Sequence, residues 1–510
     1  MNDACIGAID QGTTGTRFVL FDAEGRPLAA AYREHRQLYP QPGWVEHDPE
    51  EIWQNTLAVM QEALAEAGLR PGRLRAVGIT NQRETVVAWD AATGKALHPA
   101  IVWQDRRTAG RCRELAEAGH AEMLRARTGL PVDPYFSATK MEWLLRGSEA
   151  VCAAAAAGRA RFGTVDAWLA FRLTGAHVTD PTNASRTLLF DLRRLRWDPE
   201  LLALFGIEEE MLPEVVPSVA SDLDLVVSDG LPATGTPVRG ILGDQQAALF
   251  GQAGFSRGDV KNTYGTGSFL LLNTGEEPVA SRHGLLSTVA YQVAGRPACY
   301  ALEGSVFITG AAVQWLRDSL GLIAHAAETE ALARSIPDTG GVYLVPAFAG
   351  LGAPYWEPEA RGSLFGLTRG SGRAQLARAA LEAMAYQTRD VVEAMRADAG
   401  LSLDALRVDG GAVGNGFLCQ FQADILGLPV LRPAVQETTS LGAAYAAGLA
   451  AGVWPGLDAL RAHWRLDRRF APTMPAHERE ALWQGWQRAV YAARAWAGWR
   501  ARQDASATSP

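Results

Sequence analysis

The sequence predicts an α/β protein built from two copies of one domain, each a mixed sheet with flanking helices, and three observations carry that expectation. The chain has 510 residues, more than one hydrophobic core usually serves, because cores stop growing near ~250–300 residues. Its N-terminal pattern of short apolar runs and glycine turns starts a second time about halfway along. After each start, strand-like runs alternate with longer helical patterns, which is the mark of α/β units. A composition of 48% hydrophobic and 20% charged residues is that of a globular chain able to fold on its own.

The first start reads CIGAID, QGTTGT, RFVLFD, a turn at Gly25 and RPLAAAY, a succession of antiparallel strands. A helix is expected near 50–67, strands at 75–80, 86–90 and 101–105, and a helix at 137–146. The strand GILGD then runs into the helical QQAALFG. The second start, 253 residues after Gly12 (265 − 12), reads VKNTY, Gly265-Thr266-Gly267-Ser268, FLLLN and a turn at Gly275. A helical run at 374–399, a strand at 406–411 ending in glycines and a helix at 416–426 follow. Segment 251–259 (GQAGFSRGD) lies between the halves, so the domains are expected at 1–250 and 251–510. The uncharged stretch 438–457 is rich in Ala and Gly and ends in Pro455-Gly456, which predicts a packed interior helix and no membrane span. From 477 to 502, Leu482, Trp486, Val490, Ala493 and Trp496 share one helical stripe expected to dock on the second domain. The tail after Asp504 is expected to be disordered.

Charge and motif absences narrow the function. Fifty-six acidic against 48 basic residues give a net charge of −8, which argues against nucleic acid or anionic lipid and favours small-molecule partners. The basic residues are 45 Arg and three Lys (Lys95, Lys140, Lys261). No lysine follows a GxxxxGK[ST] loop, which excludes a P-loop enzyme, and the absence of GxGxxG argues against a dinucleotide-binding dehydrogenase. Five cysteines without CxxC spacing predict free thiols in a reducing compartment. With no basic, apolar leader at the N-terminus, a cytoplasmic protein is expected.

Three loops carry chemistry. Asp10-Gln11-Gly12-Thr13-Thr14-Gly15-Thr16-Arg17 follows an apolar strand, and its glycines and hydroxyls can bend backbone N–H groups around a phosphate, with Arg17 adding charge. Tyr264-Gly265-Thr266-Gly267-Ser268 matches it in the second half. Val408 to Gly416 ends a strand in glycines and opens a helix, where a ligand can lie against bare backbone. A plain hairpin turn or a glycine packing contact explains each loop alone; three in order suggest a polyphosphate clamp. Arg83 and Glu84 leave an apolar strand together and can bond the hydroxyls of a polyol. Trp103, Tyr135 and Phe269 can wall a short carbon chain, although aromatics at such places are more often core. Asp244 sits at a strand-to-helix junction, where the helix N-terminus favours a carboxylate; it reads equally as a proton acceptor or as a helix cap.

Taken together, the loops resemble the superfamily of sugar kinases, actin and heat-shock chaperone ATPases. The strings NQRET (81–85), IVWQDRR (101–107), GDQQ (243–246) and ALEG (301–304) resemble the FGGY family of carbohydrate kinases, and within it the members that act on glycerol. The likeness runs from about Gly7 to Trp454. It implies two ribonuclease H-like domains with the active site in the cleft between them, and ATP-dependent phosphorylation of glycerol to sn-glycerol 3-phosphate. It assigns Asp244 as general base and Arg83, Glu84, Trp103, Tyr135, Gln245 and Phe269 to the glycerol. Thr13, Thr14, Gly15, Arg17, Thr266 and Gly310 fall to the phosphates, Gln314, Gly411 and Asn415 to the nucleoside, and Asp10 to Mg2+ through water. A homodimer or homotetramer is also implied. The chain departs from the family pattern where Gly15-Thr16 replaces the usual second Ser, where Ser268 replaces Cys, and where Gly414 and Gly416 flank Asn415. A kinase for another polyol or ketose, and an ATP-gated binding protein, are the rival readings.

Overall fold

The computed structural model describes residues 5–69 and 73–507, with side chains to 499. The first domain centres on a five-stranded sheet in the order Val238–Gly243, Leu74–Asn81, Cys5–Gln11, Gly15–Phe21, Pro27–Glu34. Cys5–Gln11, Gly15–Phe21 and Pro27–Glu34 form the antiparallel meander expected, and the other two strands run parallel to Cys5–Gln11. The second start repeats this arrangement inside a seven-stranded sheet. Val260–Tyr264, Ser268–Gly275 and Cys299–Val306 form the antiparallel meander, and Leu406–Asp409 and Val430–Pro433 extend it in parallel. Leu286–Tyr291 and Leu466–Phe470 close the two edges. A smaller four-stranded sheet (Glu46–His47, Ala100–Ile101, Val86–Asp90, Ala160–Thr164) sits on the first domain.

Local chemistry sets the helix boundaries. Asp48 caps Pro49–Glu66 by accepting from the Glu50 N–H, with Pro49 in the first turn, where its missing donor costs nothing. The long helix Arg373–Ala399 stops at Gly400, whose φ of 62° closes the last turn. Three expectations need correction. The strand expected at 101–105 is only Ala100–Ile101, because the chain turns at Val102 so that Asp105 can meet Arg107. The C-terminal helix Ala476–Ala507 buries Trp486, Val490 and Ala493, but Trp496 is 55% exposed and Ala497 takes its place on the buried stripe. Trp486 and Trp483 also donate to Asp390, at 2.6 and 3.0 Å, which pins this helix to Arg373–Ala399. That helix continues three residues beyond Asp504, to Ala507; residues 508–510 lie outside the described residues.

One helix of the second half, Thr438–Ala450, packs on the sheet of the first, where Gly78 and Gly240 admit the backbone of Ala443 and Ala447. It crosses helix Asp244–Gly251, and the pair is packed into a core that also takes Ile6 and Ala8 from the first sheet and Leu271 and Ala301 from the second. A methyl on Gly442 would overlap the Ala247 carbonyl. Gly442→Ala is therefore expected to cost ~1–3 kcal/mol in urea unfolding through overpacking. Unchanged stability would mean that the two helices do not meet there.

Candidate active site

The register of the first sheet decides where the site lies. Gln11, Asn81 and Gly243 are neighbours across three parallel strands. The segments that follow them leave the sheet side by side at its carboxyl edge, where open α/β sheets hold ligands. Those segments are the Gly12–Gly15 turn, Gln82–Thr85, and the helix that begins at Asp244.

In the first turn the Gly12 N–H donates to the Gly15 carbonyl at 2.9 Å. A Cβ on Gly15 would lie 2.5 Å from the Arg33 carbonyl oxygen and 2.6 Å from the Tyr32 hydroxyl, so the neighbouring strand Pro27–Glu34 requires glycine there. Arg17 forms an ion pair with Glu437, and Asp10 accepts from Ser440 Oγ at 2.8 Å. Burial pushes the Asp10 carboxyl up to about 6 against the help of Ser440 and Arg17.

A cavity of about 550 Å³ in the second domain is lined by Tyr264, Thr266, Gly310, Gln314, Gly411 and Asn415, among others. It gathers the five nucleotide residues expected from that half of the chain. Thr13, Thr14, Gly15 and Arg17 stand on the first domain's turn, outside this lining. The cavity floor is backbone: the Gly310 N–H donates to the Gly265 carbonyl at 3.1 Å. Gly410 adopts a φ of 90° in a place where a Cβ would overlap Tyr264. Asn415 caps helix Gly416–Leu426 by accepting from the Leu418 N–H at 3.0 Å, and its amide donates to Thr329 Oγ1 at 3.2 Å.

Thr266 also lines a second cavity of about 150 Å³, together with Trp103, Asp105, Asp133, Tyr135 and Phe307. The Trp103 ring meets Tyr135 edge-on at 5.6 Å and Phe269 at 6.2 Å, so the three expected wall residues do converge. Lys140, fully buried, fixes Tyr135 by donating to its carbonyl at 2.6 Å. Gln245 is held from the second domain, since Lys261 Nζ donates to Gln245 Oε1 at 2.6 Å and to Thr263 Oγ1 at 2.8 Å. Burial draws both lysines down to about 8.

Charge is arranged as a chain of five groups. Arg83 Nε lies 3.1 Å from Asp244 Oδ1, and the other two nitrogens of Arg83 donate to Glu303 at 2.5 and 2.9 Å. Glu303 also accepts from Arg186 at 3.1 Å, and Arg186 Nε donates to Glu84 at 2.6 Å. Gly243 makes room for Arg83, because a Cβ there would stand 2.6 Å from Arg83 Cδ. Glu84 itself has φ 61°, a left-handed conformation that a non-glycine residue adopts only where its surroundings hold it. Arg83, Glu84, Arg186 and Glu303 are no more than 3% exposed, whereas the Asp244 side chain is 27% exposed. Asp244 is thus the one group of the five with substantial exposure to solvent.

Electrostatics follow from that burial. Burial opposes charge on Glu303, but Arg186 and Arg83 outweigh it and hold the carboxyl at about 2. Burial raises Asp244 and Glu84 above the usual carboxylate range despite their arginines. At Asp244 desolvation is the largest influence and works against the charge that a helix N-terminus favours. Sequence reasoning also missed Arg186, Lys261, Glu303 and Ser440 as members of the site. Glu303 left a signal, a single acid inside the apolar strand CYALEGSV; Arg186, in the loop TNASRTLL, left none.

Residues 5–251 match the N-terminal domain of the FGGY family of carbohydrate kinases, and residues 260–451 its C-terminal domain. A glycerol kinase of Methylorubrum extorquens is 58% identical over 97% of this chain and 99% of its own. One of Halobacterium salinarum is 55% identical over 98% and 99%. The crystal structure of Plasmodium falciparum glycerol kinase with ADP superposes with a TM-score of 0.89 at 36% identity, covering 96% of this chain and 98% of that one. With both family domains matched in order, the chain belongs to the FGGY family of carbohydrate kinases.

Proposed function

We propose that this protein phosphorylates glycerol at the expense of ATP, giving sn-glycerol 3-phosphate. The observation that carries the reading is Thr266, which lines both the nucleotide-sized cavity and the small aromatic-walled one. The relatives named above support the choice of glycerol. A three-carbon polyol offers little apolar area and must be recognised through its hydroxyls, and the buried Arg83 and Glu84 beside Trp103, Tyr135 and Phe269 suit that task. Asp244 takes the proton of the attacking hydroxyl as its oxygen bonds to the γ-phosphorus. The bond from that phosphorus to the β–γ bridging oxygen breaks, and ADP leaves. Thr13, Thr14, Gly15, Arg17 and Gly310 hold the phosphates, while Gln314, Gly411 and Asn415 face the nucleoside.

No cage of three or more His, Cys, Asp or Glu side chains occurs among the described residues. Mg2+ is usually held by one or two carboxylates, by waters and by the substrate's phosphates, so the proposal for this ion rests on the family resemblance and on Asp10. Asp10, a half-buried carboxylate that feels the charges of Asp244 and Glu437, is the residue to hold it through water. When bound, the ion neutralises charge on the β- and γ-phosphates. Among the described residues no helix is long and apolar enough to cross a membrane. The five free cysteines support a reducing, cytoplasmic setting; a homodimer or homotetramer rests on the family resemblance alone.

An ADP-release assay with glycerol, erythritol, xylulose and ribulose tests the reading, and turnover is expected with glycerol. ATP hydrolysis that ignores every polyol would sink it. Glu84→Ala is expected to raise the glycerol KM about 10–100-fold, since it removes a charged acceptor from the pocket, with the ATP KM within about twofold of wild type. Neither arginine is left unpaired, because Glu303 still accepts from both; Arg186 loses only the bond from its Nε. A wild-type glycerol KM would place the pocket elsewhere.

A further inference from the structure

A ring of hydrogen bonds runs behind the first phosphate turn and returns to it. Trp103 Nε1 donates to Thr13 Oγ1 at 2.9 Å, and the Trp103 backbone N–H donates to Thr85 Oγ1 at 3.2 Å. The Thr85 hydroxyl donates to Gln82 Oε1 at 2.9 Å. Gln82 Nε2 lies 3.3 Å from His47 Nδ1, and His47 Nε2 lies 2.8 Å from Gln37 Oε1. Gln37 Nε2 then donates to the Thr13 carbonyl at 2.9 Å, which closes the ring.

The side-chain amides fix the state of the histidine. An amide nitrogen can only donate, so His47 Nδ1 accepts from Gln82, and Nε2 carries the hydrogen given to Gln37. His47 is completely buried. Burial, reinforced by the neighbouring His35, draws it down to about 3, so it stays neutral in the working range of an enzyme.

All four carbonyls of the turn are engaged, three of them by groups outside it. The Gly12 carbonyl accepts from Gln11 Nε2 at 2.8 Å and Gln82 Nε2 at 3.2 Å, and the Thr13 carbonyl from Gln37. The Thr14 carbonyl accepts from the His35 N–H at 3.2 Å, and the Gly15 carbonyl from the Gly12 N–H. In a trans peptide the C=O and the following N–H point in opposite directions. Anchoring the carbonyls of Gly12 and Thr13 backwards therefore turns the N–H groups of Thr13 and Thr14 the other way, as a phosphate cradle requires.

We propose that Gln37, His47 and Gln82 are positioning residues that set the peptide orientation of the phosphate turn and, through Thr85 and Trp103, keep it in register with the polyol pocket. This rests on the reading of the turn as the ATP phosphate site. Gln37 is the residue to change, because it is half-buried and stands apart from the pocket. Gln37→Leu is expected to raise the ATP KM and the calorimetric Kd for ADP about tenfold. The glycerol KM should stay within about twofold and the urea midpoint near wild type. Gln37→Glu, of equal size but with an acceptor in place of the donor, should show the same split. His47→Leu breaks the same link, so Gln37→Leu combined with His47→Leu should be no worse than the more affected single variant. An unchanged ATP KM in both Gln37 variants, parallel rises in both KM values with a lower urea midpoint, or multiplying effects in the double variant would overturn the proposal. A wild-type enzyme without glycerol-dependent ADP release would instead overturn the functional reading.

Discussion

Asp244→Asn is expected to lower kcat by about 10²–10⁴-fold, the usual contribution of a positioned base, while ADP affinity changes little. Asn keeps the size of the side chain and one acceptor oxygen, so the bond from the Gln245 N–H (2.7 Å) and the approach of Arg83 (3.1 Å) can both survive. What disappears is the charge that orients the hydroxyl and takes its proton. In the wild type, burial raises Asp244 above the ordinary 3.8, so the ionised base is lost at a higher pH than for an exposed aspartate. The kcat profile should therefore fall on its acid side, and Asp244→Asn should abolish that limb. Asp10→Asn separates the two roles, since its defect should appear as an altered dependence on Mg2+. With chemistry shown to limit the rate, retention of more than about a tenth of kcat in Asp244→Asn would assign the base to another group.

Glu303→Ala is expected to destabilise the fold by ~3–5 kcal/mol, the cost of breaking a buried ion pair from one side. Two guanidinium groups, Arg83 and Arg186, would be left without their shared carboxylate, each no more than 3% exposed. Urea unfolding at pH 7 measures the loss, and a change under about 1 kcal/mol would show that the arginines re-pair without Glu303. The sign of the pH dependence is fixed. The folded carboxyl is held at about 2, below the ordinary 4.5, so Glu303 contributes stability in full above the ordinary value and loses it as pH falls towards 2. The gap between wild type and Glu303→Ala should close over that window.

Those two residues also mark how far the sequence could be read. The position of Asp244 was legible because a strand, a glycine and a helix start leave one place for an acid; the local pattern fits a helix cap equally well, and only the family resemblance assigns it the role of base. Both meanders were legible from apolar runs and glycine turns, since the period of a strand and the φ demands of a turn are local properties. The five-membered charge chain was not, because it joins residues up to 220 positions apart, as Arg83 and Glu303 are. Nothing near Arg186 distinguishes it from the other arginines. Trp496 was misplaced because 3.6-residue periodicity gives a stripe without its width, and the turns at Ala493 and Ala497 complete the buried face without it. Placement of helix Thr438–Ala450 on the first sheet was invisible for a similar reason: a helix of Ala and Gly has almost no polar face to orient it.

The three lysines differ in a way that is useful at the bench. Lys140 and Lys261 are sealed beside the cleft at 0% exposure, each donating to neighbouring oxygens. Lys95 alone is exposed, on a surface groove shared with Glu50, Phe171 and Arg172 and none of the site residues. An amine-reactive dye or surface linker applied to the folded enzyme thus meets a single accessible ε-amine, and immobilisation through it leaves the catalytic cleft unmodified.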